Sequence, residues 1–184
     1  MALIAMAEWD NEENGRTEYT ARTLDSLYKT VKYGHRIVVV DNASCAETKH
    51  ILKGYEGIIE VITLPENIGT ARAVNIAWQL RAKGDHCIKM DNDVVIHSKG
   101  WVEDMENAIG KDPTIGIVGL KRKDCWEEPS RDDFYKSELQ MLPHVAGEPW
   151  VVVERVNHVM GTCQMFNSAL LDKIGYLYQP RLYG

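Results

Sequence analysis

His86-Cys87-Ile88-Lys89-Met90-Asp91-Asn92-Asp93-Val94-Val95-Ile96 is an apolar run that ends in two carboxylates and then turns apolar again. Its first five residues have the length and character of a strand. Acids wedged between apolar segments are costly unless something compensates them. A hard cation is one such partner. Two carboxylates one residue apart can share Mg²⁺ or Mn²⁺, with phosphate oxygens and water completing the shell. Asp-x-Asp alone is common in a chain of this length, so its weight comes from its position at a strand end.

The pattern repeats outward from this stretch. Residues 36–40 are a continuous β-branched run, as in a strand covered on both faces, and they end in Asp41-Asn42-Ala43-Ser44. Residues 3–7, 58–64 and 115–120 read as further strands. A polar loop, 8–16, follows the first and holds Asp10, Glu12 and Glu13. A helix is expected over 17–33, with Leu24, Leu27, Tyr28 and Val31 as its buried stripe and Gly34 to stop it. A short helix is expected over 47–53. Another opens at Pro65-Glu66-Asn67-Ile68-Gly69 and runs through Ala71, Val74, Trp78 and Arg81. A fourth follows Ser98, read as its N-cap, and carries Trp101, Val102, Met105 and Ile109. Alternating strands and helices predict an α/β fold with a mostly parallel central sheet flanked by helices. The second half reads differently. Residues 121–149 look like an irregular surface excursion, 150–156 and 159–166 like two strands, and 168–174 like a short helix stopped by Gly175. A short mixed or antiparallel portion is expected there.

At 184 residues the chain has room for one domain with a real core. A net charge of -6 argues against a general nucleic-acid binder. No apolar run approaches the ~20 residues of a membrane helix. Met1 to Met6 lacks a basic flank and reads as a strand, not a signal peptide. Cys45, Cys87, Cys125 and Cys163 form no Cys-x-x-Cys pair, which suits reduced thiols in a cytoplasmic protein.

Ligands of open parallel sheets bind at the carboxyl ends of the strands. Three polar clusters fall there: Asp41-Asn42, Asn67 with Gly69, and Asp91-Asn92-Asp93. Asp41 can accept from a nucleobase N–H or ribose hydroxyl, or close an Asx-turn. Gly69 permits close backbone approach at a helix N-terminus, which favours anions. Arg72, one turn in, can meet a phosphate or a base carbonyl, or pair with Glu66. There is no P-loop and no Gly-x-Gly-x-x-Gly fingerprint, so nicotinamide chemistry is disfavoured. His158, near Gly161-Thr162, reads as a strand histidine. Trp126 and Trp150 bound the excursion and read as packing residues.

Taken together, Val38-Val39-Val40-Asp41-Asn42-Ala43-Ser44, Pro65-Glu66-Asn67-Ile68-Gly69-Thr70-Ala71-Arg72-Ala73-Val74-Asn75 and Met90-Asp91-Asn92-Asp93 resemble the family 2 glycosyltransferases of the GT-A fold. Gly161-Thr162-Cys163-Gln164-Met165-Phe166, with Leu170 to Gly175, looks like that family's acceptor-side segment. The resemblance implies a nucleotide-diphosphate sugar donor, a uridine nucleotide ahead of a guanosine one. It implies a Mn²⁺ or Mg²⁺ ion held by Asp93 with Asp91, and transfer of the sugar to a carbohydrate or other hydroxyl with inversion. By position, Asp41 meets the base, Arg72 the base or phosphates, and Asp91 the ribose or sugar. Asn67, Gly69 and Asn92 complete the donor site, and Gly161 and Thr162 lie on the acceptor side. Residues 1–120 are then the donor half of a single domain, 1–184, and 121–184 the start of the acceptor half, in polysaccharide synthesis.

There are two departures. The family's Pro and aromatic-Asn pair after the first strand is replaced by Ala5-Met6-Ala7-Glu8-Trp9-Asp10. The family's general base follows a position matching Tyr183-Gly184, so the base is expected beyond Gly184 and the chain is read as C-terminally truncated. Limited stability or self-association follows as an expectation. Two alternatives remain. One is a nucleotide- and metal-binding module without transfer. The other is a sugar-phosphate nucleotidyltransferase, which wants a Gly-rich signature that 12–16 does not supply.

Overall fold

The computed structural model describes residues 1–122 and 137–180. Trp126, Cys125, Tyr183, Gly184 and much of the expected excursion lie outside them. The elements run β1 (Ala2–Glu8), α1 (Thr17–Thr30), β2 (Arg36–Asp41), α2 (Ala46–Gly54), β3 (Glu60–Thr63), α3 (Thr70–Trp78), β4 (His86–Met90), α4 (Trp101–Lys111), β5 (Ile117–Gly119), β6 (Ser137–Met141), β7 (Val152–Val156), β8 (Cys163–Phe166) and α5 (Ser168–Ile174).

Six strands form one sheet in the order β3-β2-β1-β4-β8-β5. β1 is its most apolar strand and lies between β2 and β4, parallel to both. Its side chains alternate between two cores. Ile4 and Met6 pack with Leu24 and Leu27 of α1, and with Trp101, Val102 and Met105 of α4. Leu3 and Ala5 pack on the other face with Val74, Ala77 and Trp78 of α3 and Leu171 of α5. Helices therefore cover both faces, as the alternation predicts. The strand order reverses between β1 and β4, the kind of switch point beside which ligands of such sheets bind.

Beyond β4 the sheet departs from a simple parallel continuation. β8 lies antiparallel between β4 and β5, with Met90 opposite Cys163 and Cys87 opposite Phe166. Cys163 and Met165 face one core and Phe166 the other, so β8 is apolar on both faces and suits an interior place. β5 is three residues long and half-buried, which suits an edge.

Three expectations need correction. The predicted stripe of α1 holds at Leu24 and Leu27, with Val31 packed against that core, but Tyr28 is 61% exposed, and Thr20, Thr23, Ser26 and Thr30 are buried as well. Ser98 does not cap α4; Gly100, at φ 79°, holds the N-cap with no side-chain bond. Residues 121–149 are not wholly irregular, because β6 lies within them and pairs antiparallel with β7 as a separate two-stranded ribbon. Cys45, Cys87 and Cys163 are free thiols, as expected. Among the described residues no helix is long and apolar enough to cross a membrane.

Candidate functional site

The parallel register brings the strand ends together. Glu8 of β1 is the Cα partner of Asp41 of β2, and Met6 that of Met90, one residue before Asp91. The Asn42 N–H donates to the Glu8 carbonyl at 2.7 Å. Asn92 Nδ2 donates to Glu8 Oε1 at 2.8 Å. Two of the three predicted clusters thus meet through Glu8.

Glu8 and Asp10 were not among the expected site residues, yet both are fully buried. The Thr20 hydroxyl lies 2.9 Å from Glu8 Oε2 and 3.2 Å from Asp10 Oδ2 as a donor to either. Thr48 donates to Asp10 Oδ2 at 3.0 Å. Asp10 Oδ1 is buried with no hydrogen-bond partner. Burial, and then the neighbouring charge of Asp10, push the Glu8 carboxyl up to about 8, against the hydrogen bonds from Thr20 and Asn92. Glu8 therefore holds its proton to higher pH than an ordinary carboxylate does.

The hydroxyl row of α1 continues along the segment that follows β4. Thr23 donates to the Asn92 carbonyl at 2.8 Å and accepts from the Val94 N–H at 3.1 Å. Ser26 accepts from the Ile96 N–H at 3.1 Å, and Thr30 from Trp101 Nε1 at 3.3 Å. Segment 92–96 has no regular ladder of its own, so these side chains satisfy its backbone. The signal was present in the sequence: hydroxyl residues at 17, 20, 23, 26 and 30 lie close to one helix face.

Asp91 is held on two sides. Its side chain pairs with Lys89, which also donates to the Gly161 carbonyl. Its N–H donates to the Thr162 carbonyl at 2.9 Å. The structure thus joins Gly161 and Thr162, expected on the acceptor side, to the Asp-x-Asp turn. Burial raises the Asp91 carboxyl, and the Lys89 ammonium opposes that rise. Asp93 has 42% of its side chain exposed, with Arg16 at 3.7 Å. Among the described residues no cluster of three His, Cys, Asp or Glu groups encloses a cation. An exposed carboxylate beside a half-buried one is instead an open set. It fits a divalent ion that takes its remaining ligands from phosphate and water.

Asp41 is fully buried and serves the turn and more. Its Oδ1 accepts from the Ser44 N–H at 2.7 Å, while Oδ2 has no partner. It lines a groove of about 500 Å³ with Lys49, Lys53 and Thr63. A second hollow, about 410 Å³, opens between Asp10–Glu13 and Ala43–Cys45. Ala43, at φ 64°, is the one non-glycine residue with positive φ among those described. Asn42 Oδ1 accepts from the Ile68 N–H at 3.3 Å and ties the third cluster to the second strand end. Asn67 Oδ1 accepts from the Gly69 N–H at 2.9 Å.

The start of α3 differs from expectation. At this helix N-terminus, read as favouring anions, the amides of Ala71 and Arg72 both donate to Gln179 Oε1, at 2.8 and 3.3 Å. Gly69 has φ 89°, and a Cβ there would lie 1.9 Å from Gln179 Nε2. Its glycine is needed for this side chain as well as for the turn. Arg72 itself is exposed. His158 is exposed between β7 and β8, outside any strand. Glu154 pairs with Lys121 and Asp172 with Arg81, in keeping with structural roles.

The family described as Glycosyl transferase family 2 matches residues 11–175. No protein of curated function matches the sequence. Among solved structures, the mannosyltransferase PcManGT from Pyrobaculum calidifontis, in complex with GDP-Man and Mn2+, is 17% identical with a TM-score of 0.66, over 95% of this chain and 46% of that one. S. aureus TarS 1-349 is 19% identical with a TM-score of 0.62, over 94% and 49%. The same fragment in complex with UDP-GlcNAc gives a TM-score of 0.57. CMP:2-keto-3-deoxy-manno-octonic acid synthetase, complexed with CTP, is 12% identical with a TM-score of 0.56, over 94% and 76%. At such identities these likenesses establish the fold alone. The chain spans about half the length of the first two structures.

Proposed function

Because this chain belongs to glycosyltransferase family 2, we propose that it binds a nucleotide-diphosphate sugar at the carboxyl ends of β1, β2 and β4 and transfers the sugar, with inversion, to an acceptor hydroxyl. One observation carries this reading. Asp41, the loop at Asn67–Gly69 and Asp91–Asp93 are bound into one edge of the sheet, and Gly161 and Thr162 are hydrogen-bonded onto the same edge.

The buried Oδ2 of Asp41 is an acceptor suited to a base N–H or a ribose hydroxyl. Arg72 supplies positive charge toward the base or the diphosphate. Asp91 orients ribose or sugar hydroxyls, and Asn92, anchored on Glu8, fixes the turn between the two acids. Asp93, with Asp91, would hold Mn²⁺ or Mg²⁺, which supplies charge stabilisation to the departing diphosphate. The anomeric carbon, electron-poor as that bond breaks, is attacked from the opposite face by the acceptor hydroxyl, whose proton passes to a general base as the new C–O bond forms and the diphosphate leaves. The acceptor, a carbohydrate or other alcohol, approaches along Gly161 and Thr162. The neighbours' complexes with GDP-Man and UDP-GlcNAc support a nucleotide-sugar donor and leave uridine and guanosine both open.

A second reading, a nucleotide- and metal-binding module without transfer, draws on one feature. Glu154 and Asp172, two acids of the second half of the chain, are engaged by Lys121 and Arg81 rather than held ready as a general base. Calorimetric titration of the chain with UDP, GDP and CDP, with and without Mn²⁺, tests the shared core of both readings. The expected outcome is metal-dependent binding of one nucleotide, lost in Asp93→Ala. A folded chain that binds none of them overturns the assignment. Sugar release from a bound donor onto an alcohol separates the first reading from the second.

A further inference from the structure

The last described stretch of the chain lies along α3. Asn75 Nδ2 donates to the Leu177 carbonyl at 2.7 Å, and the Leu177 N–H donates back to Asn75 Oδ1 at 3.0 Å. The Tyr176 hydroxyl donates to the Trp78 carbonyl at 3.3 Å. These contacts bring Gln179 over the N-terminus of the same helix. There, Gln179 Oε1 takes the N–H groups of Ala71 and Arg72. The local N-cap, Gly69, offers no side chain, so a residue more than a hundred positions away provides the cap. Only glycine at 69 leaves room for it.

An uncapped helix N-terminus draws phosphate to its free amides. Here a neutral carboxamide satisfies two of those amides and adds no charge beside Arg72. We propose that Gln179 is a positioning residue of the donor site. It fixes the first turn of α3, from which Arg72 projects, and it keeps the donor's phosphates off the Ala71 and Arg72 amides. The charge of the diphosphate then falls to Arg72 and to the cation at Asp91 and Asp93. This inference rests on the donor-site reading above.

The test is a double-mutant cycle on the full chain, with UDP and GDP affinity measured by calorimetry in Mn²⁺ and thermal melting run beside it. Gln179→Ala and Arg72→Ala are each expected to weaken binding about tenfold. The double variant is expected within about twofold of Arg72→Ala, because Gln179 acts through Arg72. The cycle is repeated with Gln179→Glu, which keeps both acceptor bonds and so folds even if the alanine variant does not. Its charge beside Arg72 is expected to weaken binding, and again not in the Arg72→Ala background. Additive losses overturn the proposal. So does a Gln179→Ala chain that binds as tightly as the parent or tighter, since the amides would then be receiving phosphate. If the parent chain binds no nucleotide at all, the donor-site reading fails first and this inference fails with it.

Discussion

Two regions of this molecule break the ordinary rule of polar outside and apolar inside, and for opposite reasons. At the carboxyl ends of β1, β2 and β4, Glu8, Asp10 and Asp41 are 0% exposed and Asn92 is 7% exposed. On the β6–β7 ribbon, Leu139 is 77% exposed, Met141 62%, Trp150 61% and Val152 54%. The buried acids have partners from α1, α2, the turn after β4 and the turn after β2, so their positions are fixed from several directions. The ribbon is one ladder, no apolar layer among the described residues lies over these side chains, and a stacked His144–Trp150 pair at 3.8 Å lies at its end. Buried polarity here marks a site held in one geometry. Exposed apolarity marks a surface whose residues are loosely constrained by the fold.

That contrast can be broken or sharpened by substitution. The largest effect is expected at Asp93. Its exposure means that Asp93→Ala leaves the melting temperature nearly unchanged, while Mn²⁺-dependent nucleotide affinity falls by about a hundredfold, some 2.7 kcal/mol. A stable variant with full affinity would detach the Asp-x-Asp turn from ligand binding. Next comes Thr20→Val, which strips a hydroxyl from both Glu8 and Asp10. It should cost about 1–3 kcal/mol, seen as a fall of roughly 3–10 °C in thermal denaturation. An unchanged melt would mean that the acids find other donors.

Glu8 itself carries a pH signature. Its carboxyl titrates near 8 in the folded chain against an ordinary 4.5. Between those values the folded chain holds a proton that the unfolded chain releases, so this group's contribution falls as pH rises and levels off above about 8. Melting curves from pH 5 to 9 should show that decline in the parent and lose it in Glu8→Gln, whose melt at pH 8.5 should lie a few degrees higher, roughly 2–4 °C per kcal/mol recovered. A parent that gains stability across the window from this group would reverse the assignment. The smallest change belongs to the ribbon. Leu139→Ser with Met141→Ser should alter stability by no more than about 0.5 kcal/mol per site and reduce any self-association measured by sedimentation velocity. A loss as large as that of Thr20→Val would make the ribbon part of the core.

The strands from β1 to β4 and most of the helices were legible, because parallel strands buried on both faces read as plain apolar runs and their helices as 3.6-residue stripes. Asp41 and Asp91–Asp93 were legible for the same reason, as acids terminating such runs. Glu8 terminates one too. It escaped because the polar loop after it reads as solvent-facing, and nothing local says that Thr20 and Asn92 close over it. The stripe on α1 was right in its leucines and wrong only at Tyr28, and it missed the threonines that carry the buried bonds there. Gln179 on α3 and β8 beside β4 are contacts between distant segments, and residue spacing holds no record of such pairings.

The place of β8 also bears on how the molecule comes together in time. β4 must wait for its second neighbour until every element through β7 has emerged, and each long closure adds entropic cost before any bond rewards it. Until then one edge of β4 stands unpaired, open to wrong partners on other chains. The units β1-α1-β2 and β2-α2-β3 can assemble early from local contacts, whereas the Asp91 amide finds the Thr162 carbonyl only after β8 has docked. The turn between β4 and α4 is therefore fastened on its second side among the last steps of folding.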